Sequence, residues 1–375
     1  MSVSLNELAT RFNDRFGQAP TCLVNAPSRI NLIGEHIDYC GGHVLPMAIK
    51  GGTTVLSAGN GSDLINVYTE RFGDRVSLEI RPDHSPGFYG DWRDYVAGVI
   101  SLLSSSYRLQ GTDLYVAQSS GTAGLSTSAS FCLALAKTLA PGIDHVALAK
   151  ICQQVEHEFA GVQCGIMDQM SIAIGDVICL DCQQLDWQDA GSELDDMVFV
   201  VMDTGKERTL AGSAYNERVH ELSQVADALG ERGIGSLVEA PDSAFLPESL
   251  RKRLTHVTSE EKRVLEAFQA LQHRDWAAFG HLMNDSHASL RDNYEVSCDE
   301  LDTMVELALD ADGVLGARMT GGGFGGCAIA LTERRTADDW MPRVASAYEQ
   351  RTGFKHRLFL AEPSRGLTLT KFPQG

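Results

Sequence analysis

Apolar residues recur along this chain in two rhythms. Short runs at Cys22 to Val24, Val44 to Ile49, Val177 to Leu180 and Val198 to Met202 read as strands. Helical spacing puts Val96, Val99, Ile100 and Leu103 on one face, and Phe131, Leu135 and Leu139 on another. A third stripe, Val219, Leu222, Ala226 and Leu229, stops at Gly230, and a further helix is expected from Asp144 to Phe159, ending at Gly161. Strand and helix signals alternate irregularly instead of repeating as βαβ units, which predicts an α+β fold. The most polar connection, Glu193 to Asp196, lies between two strand signals and marks a domain boundary, giving domains over 1–193 and 194–375. The stretch Gly235 to Leu250 mixes Gly, Ser, Pro and acids and reads as a surface insertion in the C-terminal half.

Length and composition support two cores. At 375 residues the chain exceeds one ordinary hydrophobic core, and 43% hydrophobic residues suffice for both. A formal charge of -19 argues against nucleic acid as a partner, since binding a polyanion takes clustered Lys and Arg. Nine cysteines, scattered and odd in number, read as reduced thiols in a reducing compartment. Cys179 and Cys182 form a lone CxxC inside VICLDC, a sequence that looks like a buried strand more than a metal or redox site. MSVSLNELATRF has neither a basic leader with an apolar core nor a transit-peptide composition, and no apolar run reaches the roughly 18 residues that span a bilayer. A cytoplasmic protein without a membrane partner is the expectation.

Four segments concentrate chemistry. APSRINLIGEHIDYCGGHVLP, Ala26 to Pro46, packs an Arg, two carboxylates and two His among glycines between two strand signals. Glu35, His36 and Asp38 supply acceptors and switchable donors at close intervals, the inventory needed to read a pattern of sugar hydroxyls. QSSGTAGLSTSAS, Gln118 to Ser130, runs straight into the helix near Phe131; a Gly- and Ser-rich loop feeding a helix N-terminus offers unpaired N–H groups to an anion, though it lacks the Walker A lysine. A Ser-rich connector capping a helix has the same composition, so this segment alone decides nothing. VQCGIMDQM, Val162 to Met170, sets Asp168 in an apolar frame, where a carboxylate needs a cationic partner or a job as a base. Glu156 lies 12 residues earlier and can give Mg²⁺ a carboxylate beside a Ser hydroxyl and phosphate oxygens. In ARMTGGGFGGCAIALT, Ala317 to Thr332, five glycines within six residues allow positive φ and close backbone approach.

Together and in this order the segments resemble the GHMP kinase superfamily, and most closely its galactokinase branch, over nearly the whole chain. RINLIGEHIDY looks like the galactokinase signature, GLSTSAS like the phosphate loop, GIMDQ like the catalytic-Asp motif and MTGGGFGGC like the third superfamily motif. KERTLAGSAYNER and HASLRDNYEVSCDELDTMVELA are similar to galactokinase sequence outside those motifs. The resemblance implies a two-domain architecture in which ATP and a sugar meet in the cleft between the halves, and phosphorylation of the anomeric hydroxyl of galactose. It implies Asp168 as catalytic base, Arg29 as its cationic partner, and Ser128 and Glu156 as Mg²⁺ ligands. Phosphate contacts would come from Thr122, Ala123, Gly124, Leu125, Ser126, Thr127 and Ser128, and sugar contacts from Glu35, His36, Ile37, Asp38 and Tyr215.

The chain also departs from the family pattern. No Pro precedes the glycines of the phosphate loop, the loop is about one residue shorter, Thr127 stands where a Ser is usual, and Gln183 replaces an Arg common after the DC pair. Two alternatives stay open. EHIDYC followed by VLPMA resembles the N-acetylgalactosamine kinase branch, whereas GIMDQ and SAYNER resemble galactokinase. A galactose-sensing relative without catalysis has lost residues from the phosphate loop, while here Arg29, Asp168, Ser128 and Glu156 are all present.

Overall fold

A computed structural model describes residues 4–119, 125–191, 193–206, 211–231 and 233–372. In chain order the strands are β1 (Cys22–Asn31), β2 (His43–Val44), β3 (Pro46–Gly59), β4 (Leu64–Thr69), β5 (Asp74–Glu79), β6 (Thr112–Gln118), β7 (Ile178–Asp181), β8 (Asp186–Asp189), β9 (Met197–Asp203), β10 (Val314–Thr320), β11 (Cys327–Glu333), β12 (Arg357–Ala361) and β13 (Thr368–Lys371). The helices are α1 (Leu5–Phe16), α2 (Trp92–Ser104), α3 (Thr127–Leu139), α4 (His145–Glu158), α5 (Met167–Ile174), α6 (Ala211–Leu229), α7 (Glu248–Gln272), α8 (Trp276–Ser289), α9 (Asp299–Leu309) and α10 (Arg334–Thr352). The fold is α+β, as the irregular alternation of signals predicts. No helix among the described residues is long and apolar enough to cross a membrane.

Two compact units divide the chain. One comprises Met1–Arg29, Lys50–Gly175 and Ser364–Gly375, the other Ile30–Ile49 and Asp176–Pro363. The division read from the sequence, 1–193 and 194–375, is contiguous; the units are not. Strand pairing and close backbone contact are the physical reason. β13 pairs antiparallel with β1, Cys22 opposite Lys371, and Leu367 N donates to Ile172 O at 3.0 Å, so the C-terminal segment belongs with the first unit. Gly175, at φ +92°, seals that return, because a Cβ there would lie 1.9 Å from Gly366 N. Likewise β2 pairs with β7 and Gly34 N donates to Glu260, drawing 30–49 into the second unit.

In the first unit a six-stranded sheet runs β13-β1-β3-β6-β4-β5. Period-two alternation splits its side chains between two cores. Val24, Val55, Leu114 and Val116 face the cluster that includes Val96 and Ile100 of α2, Leu135 of α3 and Val155 of α4. Their neighbours Leu23, Leu56 and Tyr115 face Leu8 and Phe12 of α1. The helices that carry the chemistry are thereby fixed to one face of the sheet. The second unit holds an antiparallel sheet, β10-β11-β9-β12, a three-stranded sheet, β2-β7-β8, and the helices α6 to α10. Cys179 sits in β7, and both cysteines of the CxxC are free thiols.

Candidate active site

In the first unit Arg29, near the end of β1, meets Asp168, in the first turn of α5. Arg29 Nε donates to Asp168 Oδ1 at 2.6 Å and Nη2 donates to Oδ2 at 2.8 Å, a two-point fork. The Arg29 side chain is 7% exposed and that of Asp168 27%, so the carboxylate keeps an open side. No side chain caps α5 at Ile166, which leaves the positive end of the helix to the Asp168 charge. A third group completes the arrangement: Ser126 Oγ donates to Asp168 Oδ2. Arg29 Nη1 is buried and has no hydrogen-bond partner among the described residues.

Beside this pair stands Glu156 of α4, which is 3% exposed although a helix glutamate is ordinarily solvated. Tyr95 Oη donates to its Oε2 at 3.3 Å, and Ser128 of α3 hydrogen-bonds the same carboxylate. Burial pushes the Glu156 carboxyl up to about 7; the Ser128 and Tyr95 hydroxyls pull it down, and the Asp168 charge adds to the rise. Glu156 has no ion-pair partner among the described residues, which leaves burial as the main influence on its carboxyl. Leu125 is buried, Thr127 opens α3, and Ser126 precedes it. Thr122, Ala123 and Gly124 lie outside the described residues.

In the second unit Glu35 and His36 are fully engaged by protein. Glu35 Oε1 accepts from Thr320 Oγ1 at 3.2 Å and from Gly321 N at 3.0 Å, while its Oε2 pairs with Arg318 Nη1. Burial pushes the Glu35 carboxyl up against the pull of Arg318 and the Gly321 N–H. His36, at φ 66°, contacts the Gly322 carbonyl through Nε2 at 3.3 Å and the Tyr39 hydroxyl through Nδ1 at 3.0 Å. A carbonyl only accepts, so Nε2 carries the proton and Nδ1 receives the Tyr39 hydroxyl. Burial foremost, with the nearby His256 and arginines, lowers His36 to about 3, which makes it a fixed neutral donor and not the switchable one its residue type suggests. Ile37 is wholly buried, and its carbonyl accepts from Gly42 N at 2.8 Å. Asp38 opens a short helical turn, Asp38–Cys40, and is buried. Tyr215 on α6 stands beside this loop, its ring 5.3 Å from His36 and 5.5 Å from Tyr39.

Sequence reasoning missed the groups beneath the loop. Arg318 of β10 is fully buried, touching Glu35, donating to Leu32 O at 3.1 Å and lying 3.6 Å from Glu260. Glu260 of α7 accepts from Gly34 N at 3.0 Å and from Ser286 Oγ at 2.5 Å. His256 Nε2 reaches Glu35 O at 3.1 Å and its Nδ1 lies 2.9 Å from Ser289 Oγ. Tyr294 Oη is 2.7 Å from Tyr39 Oη. The one visible signal was Arg318, the single charge in the run ARMTGG, whereas nothing in the polar stretch RDNYEV marks Tyr294. The glycine segment 321–326 forms the turn between β10 and β11, where Gly323 is at φ +75° and a Cβ would meet Val296 O at 2.2 Å. Gln183 fills the space over Gly41 and Gly233, 3.3 Å from where a Gly41 Cβ would stand.

Such a site, an Arg–Asp fork beside a buried Glu and a Ser at a helix start, sits on a fold shared with small-molecule kinases. Family models match at residues 94–176, GHMP kinases N terminal domain, and at 267–350, GHMP kinases C terminal. A mevalonate kinase crystal structure, 18% identical, covers 91% of this chain and 98% of its own with a TM-score of 0.68, which shows the common fold. The chain is a GHMP kinase. Residues 10–58 match the galactokinase galactose-binding signature. Galactokinase of Exiguobacterium sibiricum is 40% identical with 95% of each chain covered, and that of Clostridium perfringens is 38% identical over 98% of this chain and 100% of its own. The crystal structure of Lactococcus lactis galactokinase complexed with galactose, 34% identical, superposes with a TM-score of 0.89 over 97% of this chain and 99% of its own. The chain belongs to the galactokinase family.

Proposed function

We propose that this protein transfers the γ-phosphoryl group of ATP to the anomeric hydroxyl of galactose, giving galactose 1-phosphate and ADP. The observation that carries the reading is the Arg29–Asp168 fork with its spare, buried Nη1. Phosphoryl transfer passes through a loose transition state, so the protein's work is to orient the attacking hydroxyl and to stabilise spreading negative charge. Asp168 accepts the hydroxyl proton on its open side. Arg29 holds that carboxylate in place and turns Nη1, the nitrogen without a partner among the described residues, to a phosphoryl oxygen. A base positioned in this way is worth about 10²- to 10⁴-fold in rate.

Glu156 and Ser128 are the proposed holders of Mg²⁺, and the fit is chemical: a buried carboxylate with no cationic partner among the described residues, next to the hydroxyl of Ser128 at the start of the helix that follows the Ser-rich loop. The ion would neutralise charge between the phosphates. Leu125 to Ser128, with Thr122, Ala123 and Gly124 before them, are the proposed phosphate loop. Asp38 of the sugar loop and Tyr215 of α6 beside it are the proposed hydroxyl readers. Glu35, His36 and Ile37 are proposed to line the sugar site with them, their polar atoms bonded within the protein and so fixed in place. Free cysteines throughout the chain suit the cytoplasm as its setting.

ADP release with ATP, Mg²⁺ and a panel of galactose, N-acetylgalactosamine, galacturonate and glucose tests the proposal. Galactose is expected to give the highest kcat/KM. A different winner reassigns the substrate, and no release with any sugar removes the enzymatic reading.

A further inference from the structure

Ser126 sits where a helix cap belongs and does not act as one. A serine before a helix ordinarily adopts extended backbone and turns its hydroxyl back onto the N–H groups of the first turn. Ser126 is instead left-handed, φ 58° and ψ 45°, and its side chain makes no cap bond, although its carbonyl starts α3 by accepting from Ser130 N at 3.0 Å. That conformation is unfavourable for a residue with a Cβ and forfeits the cap's stabilisation, so something else must hold it. The only hydrogen bond of its hydroxyl among the described residues goes to Asp168 Oδ2, 42 positions away.

The consequence concerns which carboxylate oxygen can take a proton. Each carboxylate oxygen has about two good acceptor directions. Oδ2 spends both, one on Arg29 Nη2 at 2.8 Å and one on Ser126 Oγ. Among the described residues Oδ1 receives Arg29 Nε alone, at 2.6 Å, and keeps a free lone pair. We infer that Ser126 is a positioning residue that saturates Asp168 Oδ2 and so reserves Oδ1 as the atom that accepts the sugar's proton. The inference rests on Asp168 being the base. In the step, the sugar oxygen forms its bond to the γ-phosphorus and its proton moves to Oδ1. The bond from that phosphorus to the bridging oxygen breaks, and its electron pair leaves with ADP. The hydroxyl also locks rotation of the carboxylate, which Arg29 holds from one edge only.

Glycine tolerates the left-handed conformation, so Ser126→Gly removes the hydroxyl while easing the backbone. Its kcat is expected to fall about 10- to 100-fold, with KM for galactose and ATP moving by less than about twofold. ADP affinity by calorimetry should match wild type. Ser126→Ala, which keeps the strain, should lose at least as much rate. A Ser126→Gly enzyme with wild-type kcat overturns the inference. So does a loss carried by KM for ATP together with weakened ADP binding, because the hydroxyl would then be a phosphate contact. Asp168→Asn separates the two layers. Turnover retained there removes the base itself, whereas turnover lost there but kept in Ser126→Gly removes only the role of Ser126.

Discussion

The Arg318 guanidinium lies against the Glu35 carboxylate inside the protein, with side-chain exposures of 0% and 2%. The same guanidinium donates to Leu32 O and approaches Glu260, which holds Gly34 N, so one buried charge braces the main chain that leads into Glu35. Burial alone would raise the Glu260 carboxyl, yet nearby positive charge, Arg263 foremost, holds it down to about 2. Arg318→Met is isosteric enough to fill the space but strands Glu35 without a cation. It is expected to cost about 3–5 kcal/mol in urea unfolding, the usual result of breaking a buried pair from one side. A loss below about 1 kcal/mol would mean that Glu35 is held by Thr320 and Gly321 alone.

Arg29 is expected to matter for rate more than for binding. Arg29→Ala should lower kcat by about 10²- to 10³-fold and shift the galactose KM by much less, since in the proposed mechanism its fork orients the base and Nη1 serves the phosphoryl group. Arg29→Lys should recover little, because an ammonium cannot bond both carboxylate oxygens along one edge. Steady-state kinetics decide it, and a variant whose loss lies mainly in KM would recast Arg29 as a ground-state binder.

The elements were legible because their patterns are local. The stripe at Val96 to Leu103 became α2, and VICLD and VFVVM became β7 and β9, since burial on one face leaves its period in the sequence. The division into units was not legible: it depends on β13 returning to β1 and on residues 30–49 pairing with distant chain, and no polar linker records a pairing. At the site, motif residues could be named but not their partners. Arg29 and Asp168 were matched by the family resemblance, whereas Ser126 looked like one more phosphate contact and Arg318 like a residue of a strand. Hydrogen bonds across 42, 226 or 286 positions leave no periodic trace.

Acid should loosen the sugar loop through His256. Burial lowers this histidine from 6.5 to about 4, and its Nε2–H is the donor to Glu35 O. Between those values the unfolded chain binds a proton that the folded one refuses, so stability rises with pH. The contribution is complete above about 6.5, is lost as pH falls through about 4, and amounts to roughly 3 kcal/mol. His256→Gln can keep a donor without a titrating ring. Unfolding free energies from pH 7 to 4 should therefore show a slope shallower by about one proton in the variant, and parallel curves would place the acid sensitivity elsewhere.

Two tyrosines in one relay should respond unequally to loss of a hydroxyl. The order of donation is set from its far end: Gly322 O takes the His36 Nε2 proton, His36 Nδ1 must accept from Tyr39, and Tyr39 then accepts from Tyr294. Tyr39→Phe leaves two groups stranded, His36 Nδ1 and the Tyr294 hydroxyl, in a region where all three rings are buried or nearly so. Tyr294→Phe removes only the last donor, and Tyr39 still serves His36. Tyr39→Phe is thus expected to cost about 1–3 kcal/mol and Tyr294→Phe less than about 1 kcal/mol. Because His36 lies within the loop that also carries Asp38, Tyr39→Phe should raise the galactose KM several-fold while leaving the ATP KM unchanged. Equal effects of the two variants on stability and on galactose KM would reverse the direction of donation, making His36 Nδ1 the proton donor.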